Sequence, residues 1–127
     1  MEELKVRAKN LGEWVEGYFC VYRGIPQILV DESSWEPIDD IKTVGRYTGL
    51  CDKNGNKIFE GDILKNEYEK NKYQYFKVFY CSRTYCWLVE NKYGMLGKLY
   101  NVIGDIEIIG NIHDNSEELL KGSVDNG

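Results

Sequence analysis

Apolar and polar residues alternate in short runs along most of the chain, a pattern typical of β-strands rather than helices. Residues 5–9 alternate, and a longer run from Trp14 to Tyr22 follows the turn residues Asn10-Leu11-Gly12. Two such runs around a short turn predict a β-hairpin at the N-terminus. Residues 27–30 add a short apolar strand.

The pattern stops between Asp31 and Asp40. This segment holds five acidic residues, no basic residue and Pro37. Such a composition predicts a solvated connection. We expect this connection to end an N-terminal β unit of residues 1–41.

A second series of short strands is predicted after that connection, joined by turns and without crossover helices. This arrangement favours a mainly β fold, an antiparallel barrel or roll over residues 42–115. Asn115 or Ser116 is placed to cap a short C-terminal helix over residues 116–121, with a flexible tail at 122–127. We expect residues 1–121 to form a single compact domain.

The composition supports a folded chain in the size range of one domain. Of its 127 residues, 43% are hydrophobic, which is enough to build a core. The N-terminus has no apolar leader and no run is long enough to cross a membrane, so we expect a cytoplasmic protein without a membrane partner. The four cysteines are too sparse for a disulfide scaffold, and we expect thiols.

The net charge of −5 is unevenly distributed. Residues 1–41 carry four basic and nine acidic groups, and residues 101–127 carry one and six. Residues 42–100 carry eleven basic and six acidic groups. Any polyanionic partner is therefore expected at the basic middle of the chain.

The basic middle combines lysines and aromatic rings, as barrels that bind single-stranded nucleic acid do. The same pattern also suits a packed core with a charged outer face, or a protein–protein interface. The sequence leaves these three interpretations of residues 65–100 open. The candidate nucleic-acid or partner surface comprises Lys70, Lys72, Tyr73, Tyr75, Lys77, Arg83 and Tyr85.

Signals for catalysis are weak. Cys81 and Cys86 lack the second pair of ligands that a zinc site requires, and His113 is the sole histidine. The sequence contains no phosphate-binding loop, dinucleotide motif or nucleophile elbow. We expect no catalytic, cofactor-binding or metal-binding residues. A small hydrolytic or metal-dependent enzyme is kept as a further alternative, because 21 acidic residues permit carboxylate pairs.

A long signature lies at the start of the basic middle. The segment YTGLCDKNGNKIFEGDI, residues 47–63, resembles the signature of the YopX family, proteins encoded by bacteriophages and prophages. Residues 4–8 and 108–120 resemble the opening and closing segments of that family. Cys51, His113 and Ser116 depart from its usual residues.

The resemblance implies a mainly β protein with an SH3-like barrel, of phage or prophage origin, and it implies no reaction. We expect a non-catalytic binding or assembly module, a homo-oligomer with a host or phage protein as a further partner. Nucleic-acid binding through residues 65–100 is the alternative. The signature itself is typical of architecture, with turns and hairpin register set by Gly49, Asp52, Asn54, Gly55, Gly61 and Asp62.

Overall fold

The protein is mainly β, as its alternating pattern predicts. The computed structural model describes residues 5–31, 34–102 and 105–114, which contain eleven strands and one short helix. The chain divides into two compact units, Met1–Tyr47 and Thr48–Gly127. The boundary predicted after residue 41 lies inside a strand.

The first unit contains an antiparallel sheet in the order β4-β3-β2-β1-β5. The last of these strands runs across the division and continues into the second unit. The strands are β1 (Lys5–Asn10), β2 (Glu13–Tyr22), β3 (Ile25–Asp31), β4 (Ser34–Pro37) and β5 (Asp40–Cys51).

Two-residue turns join the first three strands. Leu11-Gly12 and Arg23-Gly24 have positive φ at both positions, between 52° and 81°. This is the conformation of the type I′ turn, whose twist matches that of the flanking strands. The predicted N-terminal hairpin is confirmed, and each turn sets a register in which neighbours pair without slippage.

The fixed register sends alternate side chains of the first sheet to opposite faces. Val6, Ala8, Ile28 and Ile38 are buried together, with Val15 and Val44 packed against them. We call this side the core face.

The acidic segment contains a strand, and its prediction as a connection is wrong for residues 34–37. Trp35 of β4 pairs with Leu29 of β3, and Glu36 pairs with Ile28. Three of the acids accept hydrogen bonds within the folded unit, and two of these bonds come from residues far away in the sequence. Glu36 accepts a hydrogen bond from Asn10 Nδ2 at 3.0 Å, and Asp39 accepts one from the Leu11 N–H at 2.7 Å. Asp40 accepts one from the Lys42 N–H.

The second unit contains a five-stranded antiparallel sheet in the order β10-β9-β8-β7-β11. Its elements are β6 (Lys57–Phe59), β7 (Asp62–Glu69), β8 (Lys72–Cys81), β9 (Cys86–Glu90), β10 (Leu96–Lys98), α1 (Leu99–Val102) and β11 (Ile106–Asn111). Its core gathers Ile58, Leu64, Phe76, Val78, Val89, Leu99 and Ile106.

This second sheet is open, so of the predicted barrel or roll a closed barrel is not found in the described residues. Within the described residues its edge strands are β10 and β11, and no ladder joins them. An SH3-like arrangement stays a prediction. The helix found here, α1, is unpredicted, and its fully buried Leu99 joins the core. The helix and tail predicted for residues 116–127 lie outside the described residues.

We predict that Gly17→Ala destabilises the first unit. An added Cβ would lie 2.6 Å from Ile28 Cγ2 and against the Leu29 backbone, closer than real contacts allow. Overpacking of this kind costs about 1–3 kcal/mol in the free energy of unfolding, measurable by urea denaturation. Gly97→Ala is the matched control, because its Cβ would meet only Val89 Cγ2 at 3.7 Å. Equal stability of the two variants would contradict this account.

Candidate functional site

The predicted basic aromatic surface does not form one patch. Lys70 lies in the turn before β8, whereas Arg83 and Tyr85 lie in the turn after it. A strand of ten residues is about 30 Å long. The two turns are therefore at opposite ends of the sheet.

Between these turns, alternation brings Tyr73, Tyr75 and Lys77 to one face, and Lys65 of β7 pairs with Tyr75 on that face. The lysines there have partners within the protein. Lys65 Nζ lies 4.2 Å from the centroid of the Tyr73 ring, and Lys77 Nζ lies 3.6 Å from Glu90 Oε1. The exposed Lys72 lies 2.9 Å from Glu69 at the hairpin tip. Two of the lysines of this segment, Lys72 and Lys77, are therefore paired with acids.

A denser aromatic surface lies on the first sheet, on the side opposite its core face. Alternation along β2 sends Trp14, Tyr18, Cys20 and Tyr22 to this side. Pairing across the sheet aligns Tyr18 with Leu29 of β3 and then with Trp35 of β4. We call this side the aromatic face.

The aromatic face also collects the basic residues of β1. Lys5, Arg7 and Lys9 alternate with the buried Val6 and Ala8, so they point to the same side as Trp14. The Trp14 ring centroid lies 4.5 Å from the Arg7 guanidinium carbon and 5.3 Å from Lys9 Nζ. Such cation–π contacts orient both partners.

A further cation, Arg23, occupies the turn at the end of β2, with its guanidinium carbon 5.3 Å from the Tyr22 ring centroid. Along β1 and β2, the one acid on the aromatic face is Glu16, which pairs with Arg7. Glu13 pairs with Asn10 on the core side. Residues 1–41 are acidic in total. Even so, the part of the aromatic face formed by β1, β2 and the turn after β2 carries more cations than acids.

A groove of about 470 Å³ opens on the aromatic face. Its walls include Tyr22 and Trp35, whose side chains remain 58% and 49% exposed. Cys20, Val21 and Gln27 line the rest. The polar side-chain groups of the lining residues are the Gln27 amide, the Cys20 thiol, the Tyr22 hydroxyl and the Trp35 indole N–H. Tyr22 and Trp35 are separated by two strand spacings, about 10 Å, and by about 13 Å along the strands.

The sequence pattern by itself does not single out this surface. Its signal is visible afterwards in the four-residue spacing of Trp14, Tyr18 and Tyr22 along one strand. Trp35 could not be added without knowing that the acidic segment contains β4. Pairing between strands, which alternation alone does not specify, completes the surface.

The signature turn is held by Asp52, which is buried at 6% exposure. Its Oδ1 accepts hydrogen bonds from the Asn54 and Asn56 N–H groups, each at 2.9 Å. Its Oδ2 accepts one from the Ile108 N–H at 3.1 Å and so ties the turn to β11. Burial tends to raise the pKa of Asp52. The N–H groups of Ile108, Asn56 and Asn54 outweigh this effect and hold the pKa below 3.8.

The second acid of the signature, Asp62, is also structural in its contacts. It is 1% exposed, and its Oδ2 accepts a hydrogen bond from the Phe59 N–H at 2.8 Å. Gly49, Gly55 and Gly61 all have φ between 84° and 91°, where a side chain is strained. These contacts give the signature an architectural role.

The cysteines and the histidine do not form a metal-binding cluster within the described residues. Among the described residues, no group of three or more His, Cys, Asp or Glu side chains is placed to hold a metal ion. His113 is exposed in the turn after β11, where its N–H donates to Asn111 Oδ1. In the same part of the chain, no helix is long and apolar enough to cross a membrane.

We predict that Asp52→Asn destabilises the second unit by about 1–3 kcal/mol at neutral pH, because an amide nitrogen would replace one acceptor of buried N–H groups. The folded pKa is lowered, so the carboxylate stabilises above pH 3.8 and its contribution is lost as the pH falls through the folded pKa. The deficit should shrink on acidification, as followed by urea denaturation at several pH values. Asp105 is exposed, so the control Asp105→Asn should lower the free energy of unfolding by less than about 0.5 kcal/mol. A deficit that stays constant with pH would refute the charge-based account.

The comparisons with known proteins agree with the signature. A comparison with curated proteins gave no match. The family model described as YopX protein matches residues 9–121, which include the signature turn and most of the first sheet. The chain therefore belongs to the YopX family.

Proposed function

We propose that this protein is a non-catalytic binding module and that the aromatic face of its first sheet is the binding surface. The observation that carries the proposal is the groove between Tyr22 and Trp35, with cations along the same face. Monomeric proteins rarely expose large apolar patches without a partner, and concave apolar sites with few polar groups are typical of ligand sites.

Single-stranded DNA is the ligand class that fits this surface best. Rings exposed on a sheet stack on bases, and cations beside them follow the phosphates. Lys5 pairs with Tyr18 in the middle of β2, and Arg23 follows Tyr22 at its end. This placement suits a backbone that passes along the strand.

Among the groove's lining residues, Gln27, Cys20, Tyr22 and Trp35 carry polar side-chain groups. The amide of Gln27 is suited to bond the edge of a stacked base.

This proposal moves the nucleic-acid surface away from residues 65–100. The cations there contact acids or rings of the same sheet, as Lys72 does with Glu69 and Lys77 with Glu90. Binding phosphate at these positions would compete with those contacts.

We predict that wild-type protein binds fluorescently labelled oligothymidylate at low salt and that Tyr22→Ser with Trp35→Ser weakens binding at least tenfold. Each stacked base contributes about 1–3 kcal/mol. Arg23→Glu should weaken binding and reduce its salt dependence, whereas Lys70→Glu should have little effect. Fluorescence anisotropy over a salt series measures both quantities. Tyr85→Ser is the matched control, since that ring is 81% exposed in the second unit.

Absence of salt-sensitive binding to any oligonucleotide would reject the DNA proposal. Tighter binding of oligouridylate would replace DNA by RNA. If short peptides bind instead, and the groove variant abolishes that binding, the face is a protein-binding surface. Loss of binding in Lys70→Glu but not in Arg23→Glu would return the site to residues 65–100.

Self-association is a second candidate function, favoured by apolar side chains on the core face of the first sheet. Phe19, Val21 and Val30 are 39%, 58% and 45% exposed there, beyond the buried Ile28. Exposed β-branched residues on a sheet suit contact with another copy of the chain. A homo-oligomer is therefore part of this proposal, with a host or phage protein as a further partner.

We predict that light scattering at tens of micromolar finds an oligomer in the wild type and a smaller species in Val30→Asp. A buried charge at an interface is costly, whereas Val30→Thr keeps the shape of the side chain and serves as control. A wild-type protein that remains monomeric would exclude the assembly proposal without affecting the DNA proposal.

A further inference from the structure

Two cysteines face each other at the end of the second unit's sheet. Cys81 ends β8 and Cys86 begins β9, and the two residues are direct partners in the antiparallel ladder. Directly opposed residues have Cα atoms about 4.5–5.5 Å apart and side chains on the same face. A disulfide requires Cα atoms about 4.4–6.8 Å apart. The backbone therefore already holds these thiols at a separation that a disulfide can span.

The turn between the strands brings a hydroxyl to both sulfur atoms. Thr84 Oγ1 lies 3.1 Å from Cys86 Sγ. The same side chain hydrogen-bonds to Cys81, and the backbone groups of Thr84 and Arg83 bond to it as well. A single hydroxyl can donate to one sulfur and accept from the other, so Thr84 links the two cysteines in their reduced state.

These contacts favour the deprotonated form of one cysteine. The Thr84 hydroxyl, then the backbone N–H groups of Thr84 and Arg83, hold the pKa of the Cys81 thiol below its ordinary value, with a smaller contribution from the Arg83 charge. The thiolate is the nucleophile in exchange with disulfides. Residues 82–85 are exposed, so the end of the hairpin is open to a small reagent.

We propose that Cys81 and Cys86 are a reversible redox pair that reacts with low-molecular-weight disulfides. The Cys81 thiolate attacks one sulfur of the disulfide, forms a mixed disulfide and releases one thiolate. Cys86 then loses its proton and attacks the Cys81 sulfur, which releases the second thiolate. Two cysteine thiols are oxidised to one intramolecular disulfide, and one external disulfide is reduced to two thiols.

The assignment is specific to this pair. All four cysteines lie within the described residues, and no disulfide joins any of them. Cys20 lines the groove of the first unit, and Cys51 is exposed near the signature turn. Neither is the cross-strand partner of another cysteine. The proposal is independent of DNA binding and of self-association, since it involves neither the aromatic face nor Val30.

The test counts thiols in full-length protein carrying Cys20→Ser and Cys51→Ser. The protein is equilibrated with mixtures of reduced and oxidised glutathione, quenched by alkylation and weighed by mass spectrometry. We expect both thiols to disappear together as the oxidised fraction rises, without retained glutathione and without covalent dimers. Dithiothreitol should restore both thiols.

Single-cysteine variants in the same background separate the two roles. Cys86→Ser should retain glutathione on Cys81, because the second attack is lost. Cys81→Ser should acquire glutathione more slowly, because it removes the thiol to which the backbone N–H groups of Thr84 and Arg83 bond. Thr84→Val should slow disulfide formation at least about twofold, since it removes a hydrogen bond to the attacking sulfur.

Other outcomes overturn the proposal. Two thiols that persist in every glutathione mixture would exclude a redox pair. A mixed disulfide that does not resolve in the variant retaining both Cys81 and Cys86, or a covalent dimer, would show that the thiols cannot meet within one chain. Circular dichroism of each variant checks that the sheet is intact, so a folding defect is not mistaken for lost reactivity.

Discussion

The register of the first hairpin is the constraint on which the first sheet depends. Side chains alternate with a period of two, so a slip of one residue would exchange the two faces of a strand. Leu11-Gly12 prevents the slip, because both residues adopt the left-handed conformation that a two-residue turn requires. Val6 and Ala8 then enter the core, and the neighbouring cations join Trp14 on the other side.

The second unit is organised around a different contact, the buried carboxylate of Asp52. It accepts hydrogen bonds from the Asn54 and Asn56 N–H groups of the signature turn. It also accepts one from the N–H of Ile108 in β11, more than fifty residues later. A buried carboxylate is stable when N–H groups replace its hydration. Asp52 thus combines local turn formation with a long-range connection, which explains its place in the signature without a catalytic role.

The two units distribute charge in different ways, and this difference locates the proposed binding surface. In the second unit, lysines and acids meet across neighbouring strands, as Lys77 and Glu90 do. In the first unit, alternation places Glu13 on the side opposite the aromatic rings, and Glu36 and Asp39 accept hydrogen bonds from Asn10 and Leu11. Net charge by segment therefore pointed to residues 65–100, whereas charge by face points to the first sheet.

Local chemistry in the sequence was sufficient for much of the fold. Alternation and turn residues predicted the mainly β class, the first hairpin and the architectural role of the signature, because these depend on neighbouring residues. Strand pairing depends on residues far apart in the chain. It alone decided that Trp35 joins Tyr22 at one groove, that Cys81 faces Cys86, and that the second sheet stays open. The composition of the acidic segment does not predict β4, because Glu36 and Asp39 are held by hydrogen bonds from Asn10 and Leu11, which are distant in the sequence.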